Sequence, residues 1–249
     1  LPDTLVWKMA AHVQVVASGK IDGGSHEIRF SDLPRLREQL DLFADAVPPP
    51  PVPYRPQRDE PKIDSKARVR LILGVSGAGK TSWLSAASAH IAETIAFIRA
   101  SRGVIDVASW LVRHLAAALL RNENHTLAAV FQPGAIGAES LRLMDRFVER
   151  NPITIVVDNA HLIGATALAE CVRDTAHFRW IFLAQPGPET SELASRLSIE
   201  PEELGGWTPQ IIASVLLDHA ITSSPELAVR VRDVTDGLPL FIEGTARVA

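Results

Sequence analysis

Apolar and polar positions divide the 249 residues into stretches of different period. Residues 1–47 mix signals. "LVWKMAAHVQVVASGK" is apolar but ambiguous: Leu5, Met9 and Val13 keep a helical spacing, while "HVQVV" alternates as a strand does. "DGGS" (22–25) reads as a turn and "HEIRF" as a short strand. "SDLPRLREQLDLFADA" reads as a helix, with Ser31 or Asp32 able to cap it, Pro34 in its first turn and Leu33, Leu36, Leu40 and Phe43 on one face. Residues 48–66 belong to "VPPPPVPYRPQRDEPKIDSK". Its prolines fix φ and remove amide donors, so it is expected to be an extended, semi-rigid connector rather than helix or central strand. A ligand for a proline-binding domain needs only the same composition.

From residue 67 to 205 short apolar runs alternate with helical spacing. "ARVRLILG", "TIAFIRA", "PITIVVD" and "FRWIFLAQ" read as buried strands, and "RLSIEPEELGG" as a short fifth. Between them lie helical patterns at about 80–92 and in "VIDVASWLVRHLAAALLR", "AESLRLMDRFVER" and "HLIGATALAECVRDT". In the first, Leu84, Ala87, Ser88 and Ile91 share a face. In the second, Ala108, Leu111, Val112, Leu115 and Leu119 do. Strands alternating with helices predict a parallel sheet covered on both faces. Residues 206–249 turn almost wholly helical, in "TPQIIASVLLDHA", "SPELAVRVRDVT" and "PLFIEGTARVA". They read as a small helical appendage.

Residues 74–81, Gly-Val-Ser-Gly-Ala-Gly-Lys-Thr, match G-x-x-x-x-G-K-[ST] at every fixed position. Gly74, Gly77 and Gly79 open conformations closed to residues with a Cβ. The amides of Val75, Ser76, Ala78 and their neighbours can then turn inward on phosphate oxygens. The loop runs into a helix N-terminus, whose free N–H groups and dipole favour an anion. Lys80 adds a compact charge for the outer phosphates, the Thr81 hydroxyl can ligate Mg2+, and Ser82 completes the first helical turn. A glycine turn joining strand to helix is the alternative. The strand before and the amphipathic helix after favour the phosphate cradle.

A Mg2+-bound phosphate needs a carboxylate, and Asp158 ends the strand "ITIVVD", where a parallel sheet places its ligand sites. Apolar residues closing on Asp form a Walker B pattern. The next residue is Asn159, whose amide can orient a water but cannot accept its proton near neutral pH. A missing general base costs about 10²–10⁴ in rate, so hydrolysis is expected to be slow or to wait for a partner. His161 offers another way to position that water; its other reading is a structural residue opening the next helix. Gln185, at the end of the fourth strand, is placed to sense a terminal phosphate or to satisfy loop backbone before Pro186.

Composition narrows this further. Apolar residues are 47% of the chain and the net charge is −4, a globular balance with charges interspersed and no nucleic-acid footprint. Cys171 is the single cysteine. It rules out an internal disulfide, reads as a small apolar core residue and suits a reducing cytoplasm. No apolar run reaches the roughly 18 residues of a membrane span. The start at Leu1 without Met and the end at Ala249 read as a piece of a longer protein. Trp83, Trp110, Trp180 and Trp207 are expected in the core. The histidines show no metal-ligand spacing with one another or with Cys171.

Over roughly residues 68–249 the chain resembles the STAND class of P-loop ATPases, a branch related to AAA+ proteins that includes the NACHT and NB-ARC domains. Three stretches carry the resemblance: "RLILGVSGAGKTSWL", "ITIVVDNAHL" and "DVTDGLPLFIEG". The last is similar to the G-x-P element of the helical lid, whose proline, here Pro239, packs near adenine and ribose, with Gly237 allowing the turn. The resemblance implies a three-layer αβα P-loop fold with a five-stranded parallel sheet and a helical lid. It also implies ATP or ADP with Mg2+ between core and lid, and a switch in which exchange of ADP for ATP opens or assembles the protein. That switch would be driven by sensor and effector regions of a longer chain, with a nucleotide-dependent homo-oligomer as one outcome. The preference for adenine rests on the resemblance. Two features depart from it: Asn159 follows the Walker B Asp, and the fourth strand ends in Ala184-Gln185-Pro186 without the arginine of plant-type members. Rival readings are a DNA-targeting AAA+ ATPase, which needs a basic channel, and a scaffold that binds nucleotide without cutting it. A small-molecule kinase would want an arginine-rich lid, whereas Leu238, Leu240, Phe241 and Ile242 make this one apolar.

Overall fold

The computed structural model describes residues 16–21, 24–29, 45–62, 65–91, 93–121, 137–148 and 152–248. The helical readings over 5–13 and most of 31–46 lie outside them. Near the start, β1 (Val16–Ile21) and β2 (Gly24–Arg29) pair antiparallel, from Val16 opposite Arg29 to Ile21 opposite Gly24. Gly24 and Ser25, expected in the turn, already belong to β2, and residues 22–23 lie outside the described residues.

A second sheet organises the chain. It consists of β3 (Val69–Leu73), β4 (Thr94–Arg99), β5 (Ile153–Asp158), β6 (Arg179–Ala184) and β7 (Glu202–Glu203), in the spatial order β4-β5-β6-β3-β7, and every pairing in it is parallel. β6 thus lies between the strand that feeds the glycine loop and the strand that ends in Asp158. β5 is buried along its whole length, as a central strand rich in Ile and Val should be.

Helices cover both faces. On one, Trp83, Leu84 and Ala87 of α1 (Lys80–Ser88) pack with Ile72, Phe97, Val156, Ile181 and Leu183. On the other lie α2 (Val107–Arg121), α3 (Ala138–Phe147), α4 (Ala165–Arg173) and α5 (Pro188–Leu197), against Leu71, Ile98, Ile155, Val157, Trp180 and Phe182. This is a three-layer αβα P-loop fold. Buried Asp145 of α3 accepts hydrogen bonds from the amides of Ala176, His177 and Phe178 at 2.7–2.9 Å and so sets where β6 begins. Two-residue β7 is held by more than its ladder: Arg70, buried and stacked on Trp83, donates two 2.7 Å hydrogen bonds to Glu202.

Two elements differ from the sequence reading. The helix expected to open at His161 is split: a 3-10 turn at Ala160–Leu162, then extended Ile163, then α4 from Ala165. Gly164 and the αL backbone of Asn159 bracket that turn. α5 follows β6 where the sequence reading placed no helix; Pro188 occupies the first helical position, where a missing N–H costs nothing, and Thr190 bonds back to Gly187.

Residues 209–248 form α6 (Pro209–Asp218), α7 (Pro225–Thr235) and α8 (Pro239–Val248). Thr208 and Ser224 cap the first two by accepting the amides of Ile211 and Leu227. Trp207, Ile212, Val215, Leu216, Ala228, Ile242 and Ala246 make a separate small core. Gly206 and Gly237 meet at the hinge of this part, where Trp207 N–H donates to Gly237 O at 2.7 Å and Gly206 O accepts Arg58 N–H at 3.0 Å.

Candidate nucleotide site

The glycine loop leaves β3 at the carboxyl edge of the sheet. Gly74 N–H is tied to Ala184 O of β6 at 3.1 Å, and the loop closes when Trp83 N–H bonds to Gly79 O at 2.8 Å, starting α1. Gly77 and Gly79 both have φ of +84°. A Cβ at Gly77 would sit 3.0 Å from the Leu240 side chain, and one at Gly79 would sit 2.9 Å from the Gln57 amide. The glycines therefore serve close approach as well as conformation. Lys80 is nearly buried, its Nζ donating to Gly74 O at 2.5 Å and Val75 O at 3.0 Å. The ammonium is curled back onto its own loop. Burial lowers its pKa, and the Asp158 charge works against that.

Asp158 is 5% exposed. Its Oδ1 accepts the Asn159 amide at 2.9 Å, and its Oδ2 stands 3.8 Å from Arg99 Nε. Burial raises its pKa, while the Asn159 N–H, Arg99 and Lys80 oppose the rise. Asn159 adopts αL backbone, φ 58° and ψ 35°, a conformation Asn takes more readily than most residues. His161 Nδ1 accepts the Gln185 amide at 3.2 Å, so in the neutral ring the hydrogen sits on Nε2. Burial and the nearby Lys80 both lower its pKa.

A cleft of about 440 Å³ brings these groups together. Ser76, Gly77, Gly79, Lys80, Thr81, Ser82, Asp158, Asn159 and Gln185 line it from the sheet domain, and Pro239, Leu240 and Glu243 from the helical part. Gly74, Val75 and Ala78 belong to the same loop without lining the cleft; Ala78 is buried beneath it and Val75 faces out. The two parts touch directly, Leu240 N–H donating to Gly77 O at 3.3 Å.

Residues that the sequence reading did not assign to the site complete the wall. Pro51, Pro53, Tyr54, Arg55 and Gln57 come from the proline-rich segment, Arg99 from β4 and Trp207 from the hinge. Gln57 is buried; its amide nitrogen donates to Ala78 O and its Oε1 accepts Gly206 N–H at 2.9 Å. Pro61 O accepts the Trp83 indole, Arg55 O accepts the Trp207 indole, and Arg55 pairs with Asp218. Tyr54 donates to Glu60 at 2.6 Å, and burial drives its pKa upward. The segment carries neither helix nor strand, bends at 52–53 and turns at 58–59, and is fastened to the loop, the hinge and α6.

The donors fit a nucleotide phosphate chain with Mg2+. Mg2+ is usually held by one or two carboxylates, phosphate oxygens and waters; Thr81 and Asp158 line one cleft beside the glycine loop. Among the described residues no group of three or more His, Cys, Asp or Glu could hold a metal by itself. None of the described helices is long and apolar enough to cross a membrane. The cleft also accounts for Trp207, which is 5% exposed yet lines it, while Trp83 and Trp180 are wholly buried and Trp110 partly so.

No protein-family model matches the chain, and no curated protein matches it. Solved structures do. A Walker-type ATPase of Pyrococcus abyssi superposes with a TM-score of 0.51 at 13% identity, covering 73% of this chain and 62% of its own. A STAND protein with a tetratricopeptide-repeat sensor from Pyrococcus horikoshii gives 0.45 at 19% identity over 70% of this chain and 26% of its own. The ADP form of the Aeropyrum pernix ORC2 protein gives 0.44 at 15% identity, over 71% of this chain and 55% of its own. The chain thus spans under two thirds of the length of each. At these identities the first likeness establishes the Walker-type ATPase fold.

Proposed function

We propose that this chain is the nucleotide-binding part of a STAND-type switch ATPase. It would hold ATP or ADP with Mg2+ between the αβα core and the helical lid. One observation carries the reading: a single cleft is walled on one side by the glycine loop, Lys80, Thr81 and Asp158, and on the other by Pro239, Leu240 and Glu243 of the lid. A ligand in that cleft touches both parts, so its affinity depends on how they sit. A ligand shifts a two-state equilibrium only through such a difference.

The chain's own residues divide the work. Loop amides and Lys80 would take the phosphates, Lys80 turning from its carbonyl partners to do so. Thr81 and Asp158 would hold Mg2+, which when bound neutralises phosphate charge and makes the terminal phosphorus a better electrophile. Gln185 lines the same cleft, its backbone N–H donating to His161 Nδ1, and would be the residue to sense a terminal phosphate. Asn159 could orient a water without removing its proton, which supports slow cleavage or cleavage awaiting a partner. A second reading, binding without cleavage, draws on the same residue. The opening or assembly controlled by the switch would involve regions beyond this chain, in signalling or defence.

The test is to denature the purified protein and identify released nucleotide by chromatography, then to measure binding of added nucleotide. Co-purified ADP, or micromolar binding of ADP and ATP, is the expected result. No nucleotide released and none bound on addition would overturn the reading. A single-turnover assay over hours separates the slow ATPase from the non-cleaving scaffold.

A further inference from the structure

Among the described residues three cationic side chains line the cleft, and they are differently engaged. Lys80 is folded onto the loop carbonyls, and Arg55 is paired with Asp218 of α6. Arg99 faces Asp158. The two are register partners on adjacent parallel strands, and Ala100 N–H fastens the strand ends by donating to Asp158 O at 2.8 Å. Arg99 N–H is anchored on the other side by Asp45 at 3.0 Å. The backbone of this residue is therefore fixed beside the Walker B carboxylate.

Its side chain is not fixed in the same way. The guanidinium rests over buried Phe97, 5.8 Å from the ring centroid, and meets Asp158 at 3.8 Å, inside ion-pair range but too long for a hydrogen bond. The side chain is 51% exposed. A guanidinium carries five donors in a planar fork that matches a phosphate, and here that fork stands at the cleft edge beside Asp158 and Asn159. On the nucleotide-binding reading, the amides of the glycine loop would take the phosphates that a diphosphate and a triphosphate share, with Lys80 reaching the outer ones. Asp158, the carboxylate that would share a metal with an outer phosphate, lines the cleft next to Arg99.

We propose that Arg99 is the residue through which this cleft tells a nucleoside triphosphate from a diphosphate. Its guanidinium contacts the outermost phosphate while its backbone stays anchored between β5 and Asp45. Asp158 and that phosphate are alternative partners for the same fork. With Asp158 engaged by a divalent ion, the Arg99 fork would be free to turn to the phosphate. The residue thus ties recognition of the third phosphate to the metal site. This rests on the nucleotide-binding reading above.

The experiment is equilibrium binding of ADP and of a non-hydrolysable ATP analogue, both with Mg2+, to wild type, Arg99→Ala and Arg99→Gln, with thermal melts alongside. Wild type should prefer the triphosphate. Each variant should lose triphosphate affinity on the order of ten- to a hundred-fold, the worth of one charge-assisted contact, with ADP affinity unchanged within about twofold. If Arg99→Ala proves unstable, Arg99→Gln, which keeps most of the stem over Phe97, carries the comparison. Equal losses for both nucleotides, no loss for either, or a wild type without triphosphate preference would overturn the assignment while nucleotide binding stands. A wild type that binds neither nucleotide removes both readings together.

Discussion

Gln57 Oε1 accepts the backbone N–H of Gly206 at 2.9 Å, joining residues 149 positions apart. The other end of the same amide donates to Ala78 O inside the glycine loop. One side chain therefore links the glycine-loop backbone to the start of the helical part. Arg58 N–H reinforces the link by donating to Gly206 O at 3.0 Å. Replacing Gln57 by Ala leaves a buried carbonyl and a buried amide without partners, at about 1–3 kcal/mol for each such group. Gln57→Ala should lower unfolding free energy in urea by at least about 1 kcal/mol on that scale. Gln57→Glu should cost no less, because a carboxylate cannot donate to Ala78. Wild-type stability in both variants would show that the clasp is not a structural element.

Gly237 marks the other half of the hinge. Its φ is +71°, and a Cβ there would lie 2.7 Å from Trp207 O. Gly237→Ala combines strained backbone with a clash against backbone. A loss of about 1–3 kcal/mol is expected from the conformation alone, read as a lower melting temperature. The lid should seat less well, so nucleotide should also dissociate faster.

Asn159 sits where hydrolysis rate should be most sensitive to one atom. Asn159→Glu supplies a proton acceptor and should raise turnover at least tenfold, within the about 10²–10⁴ range for a positioned base. Glu tolerates αL backbone less well than Asn, so the variant should also melt a little lower. A wild-type turnover of tens per second would contradict slow hydrolysis.

Cys171 is 6% exposed in α4, and burial, aided by Asp174 and Glu170, pushes its thiol up from 9.0 to about 12. The folded state therefore favours the neutral thiol. Its contribution to stability is complete below pH 9, and is lost as pH rises from there toward about 12. At pH 8 the native protein should resist alkylation by iodoacetamide for hours and be labelled rapidly in denaturant. Rapid native labelling would mean that α4 opens readily.

Much of the sheet was legible because its strands are short β-branched runs bounded by turn residues; "ITIVVD" became a fully buried central strand for that reason. The glycine loop was legible because its backbone demands glycine at fixed intervals. Arg99 was not. "TIAFIRA" announces a strand, but that its last side chain meets Asp158 depends on β4 lying beside β5 in register, a pairing between residues 59 positions apart. Gln57 was hidden for a different reason. Its segment has no period, and hydrogen bonds to the indoles of Trp83 and Trp207, not an apolar face, hold it down. Helix α5 was missed because proline both ends and begins helices, and only the hydrogen bonds at Gly187 and Thr190 decide which.

The account turns on Lys80 and the loop around it as a phosphate grip. The most direct measurement is the affinity of Mg2+–ATP for wild type and Lys80→Ala by calorimetry, with the fold of each checked by circular dichroism. Loss of a charge-assisted contact predicts an affinity at least about tenfold weaker for a folded Lys80→Ala protein. Equal affinity in the two proteins would contradict the account.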